Sequence, residues 1–212
     1  MSVHLSPEQI EAESFRIIEA ELGPHAWSAQ EWPIVRRAIH TSADFDYART
    51  MQIAGGAVAS GIEALKSGCG IVTDTTMIIS GINKQRLGTF GAPVSCFVAD
   101  PEVAAQAKAR QVTRSIMAMR KGAADRRNGI FVIGNAPTAL FELIRLIREG
   151  QVVPRLVVGL PVGFVGAAES KEALRELGRE YPDLPFITNV GRKGGSNVAA
   201  AVMNAILIQA AG

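Results

Sequence analysis

Arginine and histidine are the residues of this chain best placed to do chemistry. Arg36, Arg37 and His40 fall at spacings that put His40 on one helix face with either arginine. Arg110 and Arg114 stand four apart in an alanine-rich stretch that reads as one long helix, capped by Asp100-Pro101 and reaching about Arg120. A guanidinium is planar and meets a carboxylate with two parallel N–H donors, so such clusters suit a polyanionic small molecule. Each arginine taken singly also reads as a solvated helix face. An imidazole titrates near neutrality, at about 6.5 when unperturbed, and so can pass a proton at working pH. On composition alone, a structural role for His40 is equally open.

Three glycine-rich loops add to this picture: Gly134-Asn135-Ala136-Pro137, Pro161-Val162-Gly163-Phe164-Val165-Gly166 and Gly191-Arg192-Lys193-Gly194-Gly195-Ser196-Asn197. Each follows a strand-like run and leads into a helical pattern, the place where open parallel sheets bind ligands. Glycine lets the backbone approach a ligand, and free N–H groups at a helix start attract anions. One such loop is simply a turn that needs glycine; three together point to an anionic ligand. None reads GxxxxGK followed by Ser or Thr, and none reads GxGxxG after a strand, which disfavours a nucleoside triphosphate or a dinucleotide. A GxSxG elbow is also missing.

Cys69 and Cys96 do not form a CxxC pair and read as small buried hydrophobes. His4, His25 and His40 show no zinc-site spacing, so no metal is expected.

The elements that must position these residues follow the rhythm of a parallel sheet covered on both faces. Ser6-Pro7-Glu8-Gln9 is a capping-box start for a first helix with Ile10, Ser14, Ile17 and Ile18 on one face, and Ser28-Ala29-Gln30-Glu31 opens a second that ends near His40. A small-residue helix is predicted over Gln52–Lys66. Strands are predicted at Ile71–Thr73, Val94–Val98, Ile130–Ile133, Leu156–Val158 and Phe186–Thr188. Helices are predicted from Asn135-Ala136-Pro137 through Arg148, over Glu169–Gly178 and over Ser196–Gln209. No linker or repeat interrupts this order. The fold class is therefore α/β, three-layer, a mostly parallel sheet flanked by helices, in a single domain spanning residues 1–212.

Composition narrows the function classes. The hydrophobic fraction of 48% is that of a globular protein. A net charge of +2, from 22 basic and 20 acidic residues, does not suggest a nucleic-acid binder. No run of about 18 apolar residues suggests a membrane span. The opening MSVHLSPEQIEAES has no basic segment followed by an apolar one, so a signal peptide is not expected and the cytoplasm is.

The segments Gly134 to Phe141 (GNAPTALF), Gly159 to Lys171 (GLPVGFVGAAESK) and Gly191 to Ser196 (GRKGGS) closely resemble the precorrin-8X methylmutase (cobalt-precorrin-8 methylmutase) family. Weaker matches at Ser14-Phe15, around His40 and at Thr113-Arg114-Ser115 extend the likeness over nearly the whole chain. The resemblance implies a [1,5] methyl shift from C11 to C12 of a cobalamin-precursor ring, carried out by a homodimer with no added cofactor. It also implies His40 as the catalytic histidine, Ser14 as a substrate-contacting serine, and Arg37, Arg86 and Arg114 as substrate-binding arginines. Where the family carries Thr-Arg before Arg86, this chain has Asn83-Lys84, so Lys84 enters the binding set with a weakened or rearranged anionic contact. The substrate so implied, a tetrapyrrole polycarboxylate, needs cations for its arms and an apolar floor such as Val162, Phe164 and Val165 for its ring. A carrier that binds the tetrapyrrole without turning it over shares every feature except a need for the His40 proton. A flavodoxin-like nucleotide enzyme rests on sheet architecture alone.

Overall fold

A computed structural model describes residues 6–212; His4 lies outside them. The apolar runs gather into one six-stranded sheet: β1 (Met51–Ala54), β2 (Gly70–Thr73), β3 (Val94–Ser95), β4 (Asn128–Ile133), β5 (Leu156–Gly159) and β6 (Phe186–Asn189), in the order β1-β6-β5-β4-β2-β3. All neighbours are parallel except β1 and β6, which pair antiparallel with Met51 opposite Asn189. Side chains alternate across the sheet. Ile71, Ile130, Val132, Leu156 and Val158 join one core, and Val72, Phe131, Ile133 and Val157 join the other.

Helices cover both faces. On the first lie α1 (Pro7–Leu22), α2 (Trp32–Ser42), the short α3 (Tyr47–Thr50), α4 (Ala57–Lys66), α5 (Thr76–Gly81), α6 (Lys84–Thr89) and α11 (Ser196–Ala211). On the second lie α8 (Arg114–Ala124), α9 (Pro137–Arg148) and α10 (Ala167–Glu180), with α7 (Pro101–Ala109) packed beside α8. Three layers result, as the sequence predicts. Among the described residues no helix is long and apolar enough to cross a membrane.

Several local expectations are corrected. Met51–Ala54 is an edge strand paired with β6 and not the start of a helix, since Gly55 and Gly56 both take positive φ and separate it from the helix that follows. The alanine-rich helix is broken: Gln111 adopts φ 55°, and Thr113 then caps a new helix by accepting from the Ile116 N–H at 3.3 Å. Arg110 and Arg114 therefore stand on separate elements and share no face. The Val94–Val98 strand shrinks to two residues. On α1 the buried face runs through Ile18 with Phe15 partly covered, while Ile10 and Ile17 stay exposed. The Ser28/Glu31 box forms, with Ser28 Oγ accepting from the Glu31 N–H at 3.3 Å, but it closes a turn that precedes the helix proper. Cys69 and Cys96 are half-buried rather than fully buried.

The chain reverses direction across the sheet between β2 and β4, where a doubly wound sheet opens its ligand crevice. Here that crevice is filled from within. Asp74, at the end of β2, is buried and accepts N–H bonds from Gly134 (3.0 Å), Asn135 (2.9 Å) and Ala136 (2.6 Å). Burial pushes its carboxyl above the usual range, against the pull of those three donors. A side chain at Gly134 would lie 2.7 Å from the Ser196 Cα, so glycine is what lets β4 reach the start of α11. Removing the carboxylate leaves three donors unmet, two of them buried, at about 1–3 kcal/mol for each that water cannot reach. Asp74→Ala is expected to lower stability by at least about 2 kcal/mol, read as a lower urea midpoint, with Asp74→Asn falling between it and the wild type.

Candidate functional site

Helix α2 is amphipathic, and its apolar residues Ile34, Val35, Ala38 and Ile39 face the core. This turns Arg36, Arg37 and His40 to the boundary, where α1 lies across them. Phe15 of α1 is the pivot. The Arg36 guanidinium sits 4.1 Å and the Arg37 guanidinium 4.8 Å from its ring centroid, and the His40 imidazole meets it edge-on at 5.3 Å. Arg36 then pairs with Glu19 and leaves the site, whereas Arg37 forks onto Glu11, with Nη1 donating to Oε1 at 2.5 Å and Nη2 to Oε2 at 3.2 Å. The Arg37 fork holds the Glu11 carboxyl below the usual carboxylate range, with His40 and Arg86 adding smaller pulls against burial.

Arg86 arrives from the other side. Asn83 caps α6 by accepting from the Arg86 N–H at 2.9 Å, and Asn204 of α11 latches that turn: its Oδ1 accepts from the Asn83 N–H and its Nδ2 donates to the Gly81 carbonyl, both at 2.8 Å. Glu11, Arg37, His40, Thr41, Asn83, Arg86 and Asn204, with Ala201 and Ile208 as an apolar wall, enclose a cavity of about 380 Å³. Its lining includes one imidazole, two guanidinium groups and one carboxylate.

Of the residues singled out from the sequence, the structure brings together His40, Arg37 and Arg86. Ser14 lies one turn along α1 from Glu11, outside the cavity lining, its hydroxyl donating to the Ile10 carbonyl at 2.8 Å. Lys84 is exposed at the first residue of α6 and does not line the cavity. Arg114 is exposed at the first residue of α8, on the other side of the sheet, next to the Thr113–Thr138 hydroxyl contact of 3.1 Å.

The glycine loops are not the open anion cradles their composition suggests. The N–H groups of Gly134, Asn135 and Ala136 belong to Asp74, that of Gly195 to the Leu160 carbonyl and that of Gly163 to the Arg192 carbonyl. A side chain at Gly194 would lie 2.3 Å from the Leu160 carbonyl oxygen, so this glycine serves backbone-to-backbone packing. What these loops do present is apolar: Phe164 is 83% and Val165 90% exposed.

Sequence reading missed Glu11, Asn204 and Lys171. Glu11 and Phe15 are four apart on α1, and that spacing was the available signal; Asn204 was hidden among the apolar residues in the middle of α11. Lys171 of α10 is fully buried, and its Nζ donates to Asn189 Oδ1 at 3.2 Å and to the Lys193 carbonyl at 2.5 Å, with no carboxylate in contact. It fixes the last glycine loop from beneath, while the Lys193 side chain ties that loop to Asp44 and Asp46 beyond α2.

The fold and cavity together define a three-layer α/β protein with a pocket between flanking helices that two guanidinium groups, an imidazole and a carboxylate line. Residues 9–209 match the family model for precorrin-8X methylmutase, and the chain belongs to that family. It is 51% identical to a cobalt-precorrin-8 methylmutase of Priestia megaterium, covering 97% of this chain and 89% of that protein. It is 47% identical to a cobalt-precorrin-8 methylmutase of Leptospira interrogans, covering 94% and 92%. The crystal structure of a precorrin-8X methylmutase from Thermus thermophilus superposes with a TM-score of 0.86 at 44% identity, over 96% of each chain.

Burial holds the Lys171 ammonium down at about 8 rather than the ordinary 10.5, because only neutral acceptors meet it. Below about 8 both folded and unfolded chains carry the proton, and the cost of burying the charge is fully present. As pH rises from 8 towards 10, the folded lysine loses its proton while the unfolded one keeps it, so stability should rise through this window. Denaturation midpoints across that range are expected to show a rise in the wild type that Lys171→Met flattens.

Proposed function

We infer that this chain is an isomerase of cobalamin (vitamin B12) biosynthesis that moves a methyl group from C11 to C12 of precorrin-8X or cobalt-precorrin-8, giving hydrogenobyrinate or cobyrinate. One observation carries the assignment to a site: in a member of this family, His40, Arg37 and Arg86 converge on a single cavity although they come from two helices nearly fifty residues apart. The names of the relatives at 51% and 47% identity support the cobalt-bearing form as substrate. The whole chain, 1–212, acts as one catalytic domain.

The migration is internal to the ring and redox-neutral, so it calls for no cofactor. Its barrier lies in the π-charge that shifts as the methyl leaves one carbon and reaches the next. His40 meets that charge by lending a proton, or a hydrogen bond, to the macrocycle and recovering it afterwards. Arg37 and Arg86 receive carboxylate arms at the cavity, and Arg114, Lys84 and Ser14 meet parts of the ligand that extend beyond it. A cavity of about 380 Å³ takes one flank of a tetrapyrrole and not the whole.

This shortfall supports a symmetric homodimer, with a second copy completing the wall. Helix α11 does not add to that support, because its own domain buries it: Val198, Val202, Met203, Ile206 and Leu207 are all at 1% exposure or less. The support comes instead from the exposed Phe164 and Val165 and from the placement of Arg114. Arrangement in the cytoplasm completes the reading.

His40→Ala is expected to fold, to bind hydrogenobyrinate, and to lose about 10²–10⁴-fold in turnover, followed by corrin absorbance; wild-type rates would point to the carrier. Arg37→Ala, Arg86→Ala and Arg114→Ala are expected to bind hydrogenobyrinate more weakly and with a shallower salt dependence. Light scattering during size exclusion should give about twice the chain mass of 22.5 kDa; a fully active monomer at micromolar concentration would overturn the dimer.

A further inference from the structure

A cavity meant for a polycarboxylate contains a carboxylate of its own. Glu11 occupies both outer nitrogens of the Arg37 fork, and the face of that guanidinium lies over the Phe15 ring. The end-on pair of N–H donors is thus committed, and a carboxylate arm takes that pair only after Glu11 gives it up; the Nε edge makes no contact with Glu11. The two partners differ in exposure: the Arg37 side chain is 17% exposed and lies against Phe15 of α1, whereas that of Glu11 is 45% exposed at the cavity rim. Arg86 lines the same cavity and is exposed.

We propose that Glu11 is a resident carboxylate that occupies Arg37 in the free protein and yields it to one carboxylate arm of the ligand, setting affinity and release rather than the chemical step. The inference rests on the reading of this cavity as the tetrapyrrole site. Exchange of one arginine–carboxylate pair for another leaves a small net gain for that arm. Methyl migration alters none of the arms, so substrate and product are weakened alike, and the cost falls on residence time. A product bound at several arms is thereby kept from being held too long. Glu11 is a specificity and release residue in this account, and the proton chemistry stays with His40.

Hydrogenobyrinate titrations of the wild type, Glu11→Gln, Arg37→Ala and the double variant, followed by absorbance, test the exchange. Glu11→Gln keeps the shape and removes the charge, and is expected to bind about tenfold more tightly with a slower off-rate, Glu11→Ala behaving alike. In the Arg37→Ala background the same substitution should change affinity less than about twofold. Equal or weaker binding by both Glu11 variants, each checked for an unchanged melt, would show that Glu11 orients Arg37 for the ligand, and would overturn the exchange. An undiminished gain in the Arg37→Ala background would reduce Glu11 to a repelling charge and overturn it too. Failure of the wild type to bind either hydrogenobyrinate or cobyrinate would instead sink the reading of the cavity, and the exchange with it.

Discussion

Helix α11 packs against α2, α4, α5 and α6, and through them the residues around His40 share one apolar backing. Fully burying a side chain such as Val202, Ile206 or Leu207 contributes roughly 1.5–3 kcal/mol. The helix is therefore held deep in the first layer, and a polar residue midway along it fixes a neighbouring turn: Asn204 grips the turn between α5 and α6 from both its oxygen and its nitrogen. Because α2 and α6 lean on the same helix, His40 and Arg86 keep a fixed separation without any direct bond between them. Preorganisation of this kind is what lets a polar site act on a shifting charge without first rearranging.

Buried Glu142 is met by Arg120 and Arg145, whereas two other buried charges are met by neutral groups. Asp74 is satisfied by three backbone donors, and so spends on the fold the N–H groups that a glycine-rich strand-to-helix loop would otherwise offer to a ligand. Lys171 spends its charge beneath the last glycine loop, again on shape. The carboxyl ends of the strands are thereby closed by the protein's own polar groups. The cationic groups left facing a cavity with an imidazole are those on α2 and α6, and that cavity lies between helices rather than over the strand ends.

Phe15 gives the site its second constraint. One ring is touched by two guanidinium groups and the imidazole, so the side chains at three positions of α2 take their orientation from α1. The two arginines separate because their glutamates do: Glu19 draws Arg36 along α1 and Glu11 keeps Arg37 at the cavity. Neighbours in sequence thus acquire different roles from partners eight residues apart on another helix.

The sequence by itself determined the layers and most of the elements, because apolar periodicity, capping residues and glycine after a strand are local signals that tertiary contacts reinforced. It failed where a local pattern was overruled: Met51–Ala54 is cut off from the helix by Gly55 and Gly56 and pairs with the edge that β6 offers, and the alanine-rich helix broke at Gln111, whose left-handed backbone no simple propensity marks. Spacing put His40 on a face with an arginine, but which arginine stayed, Arg37 and not Arg36, depended on the glutamates of α1. Arg86 joined His40 through the Asn204 latch, a contact across more than a hundred residues. The glycine loops carried the family likeness in sequence, yet only the folded chain decided that their donors face inward, since a buried carboxylate such as Asp74 has to be met by whatever N–H groups the strand ends bring to it.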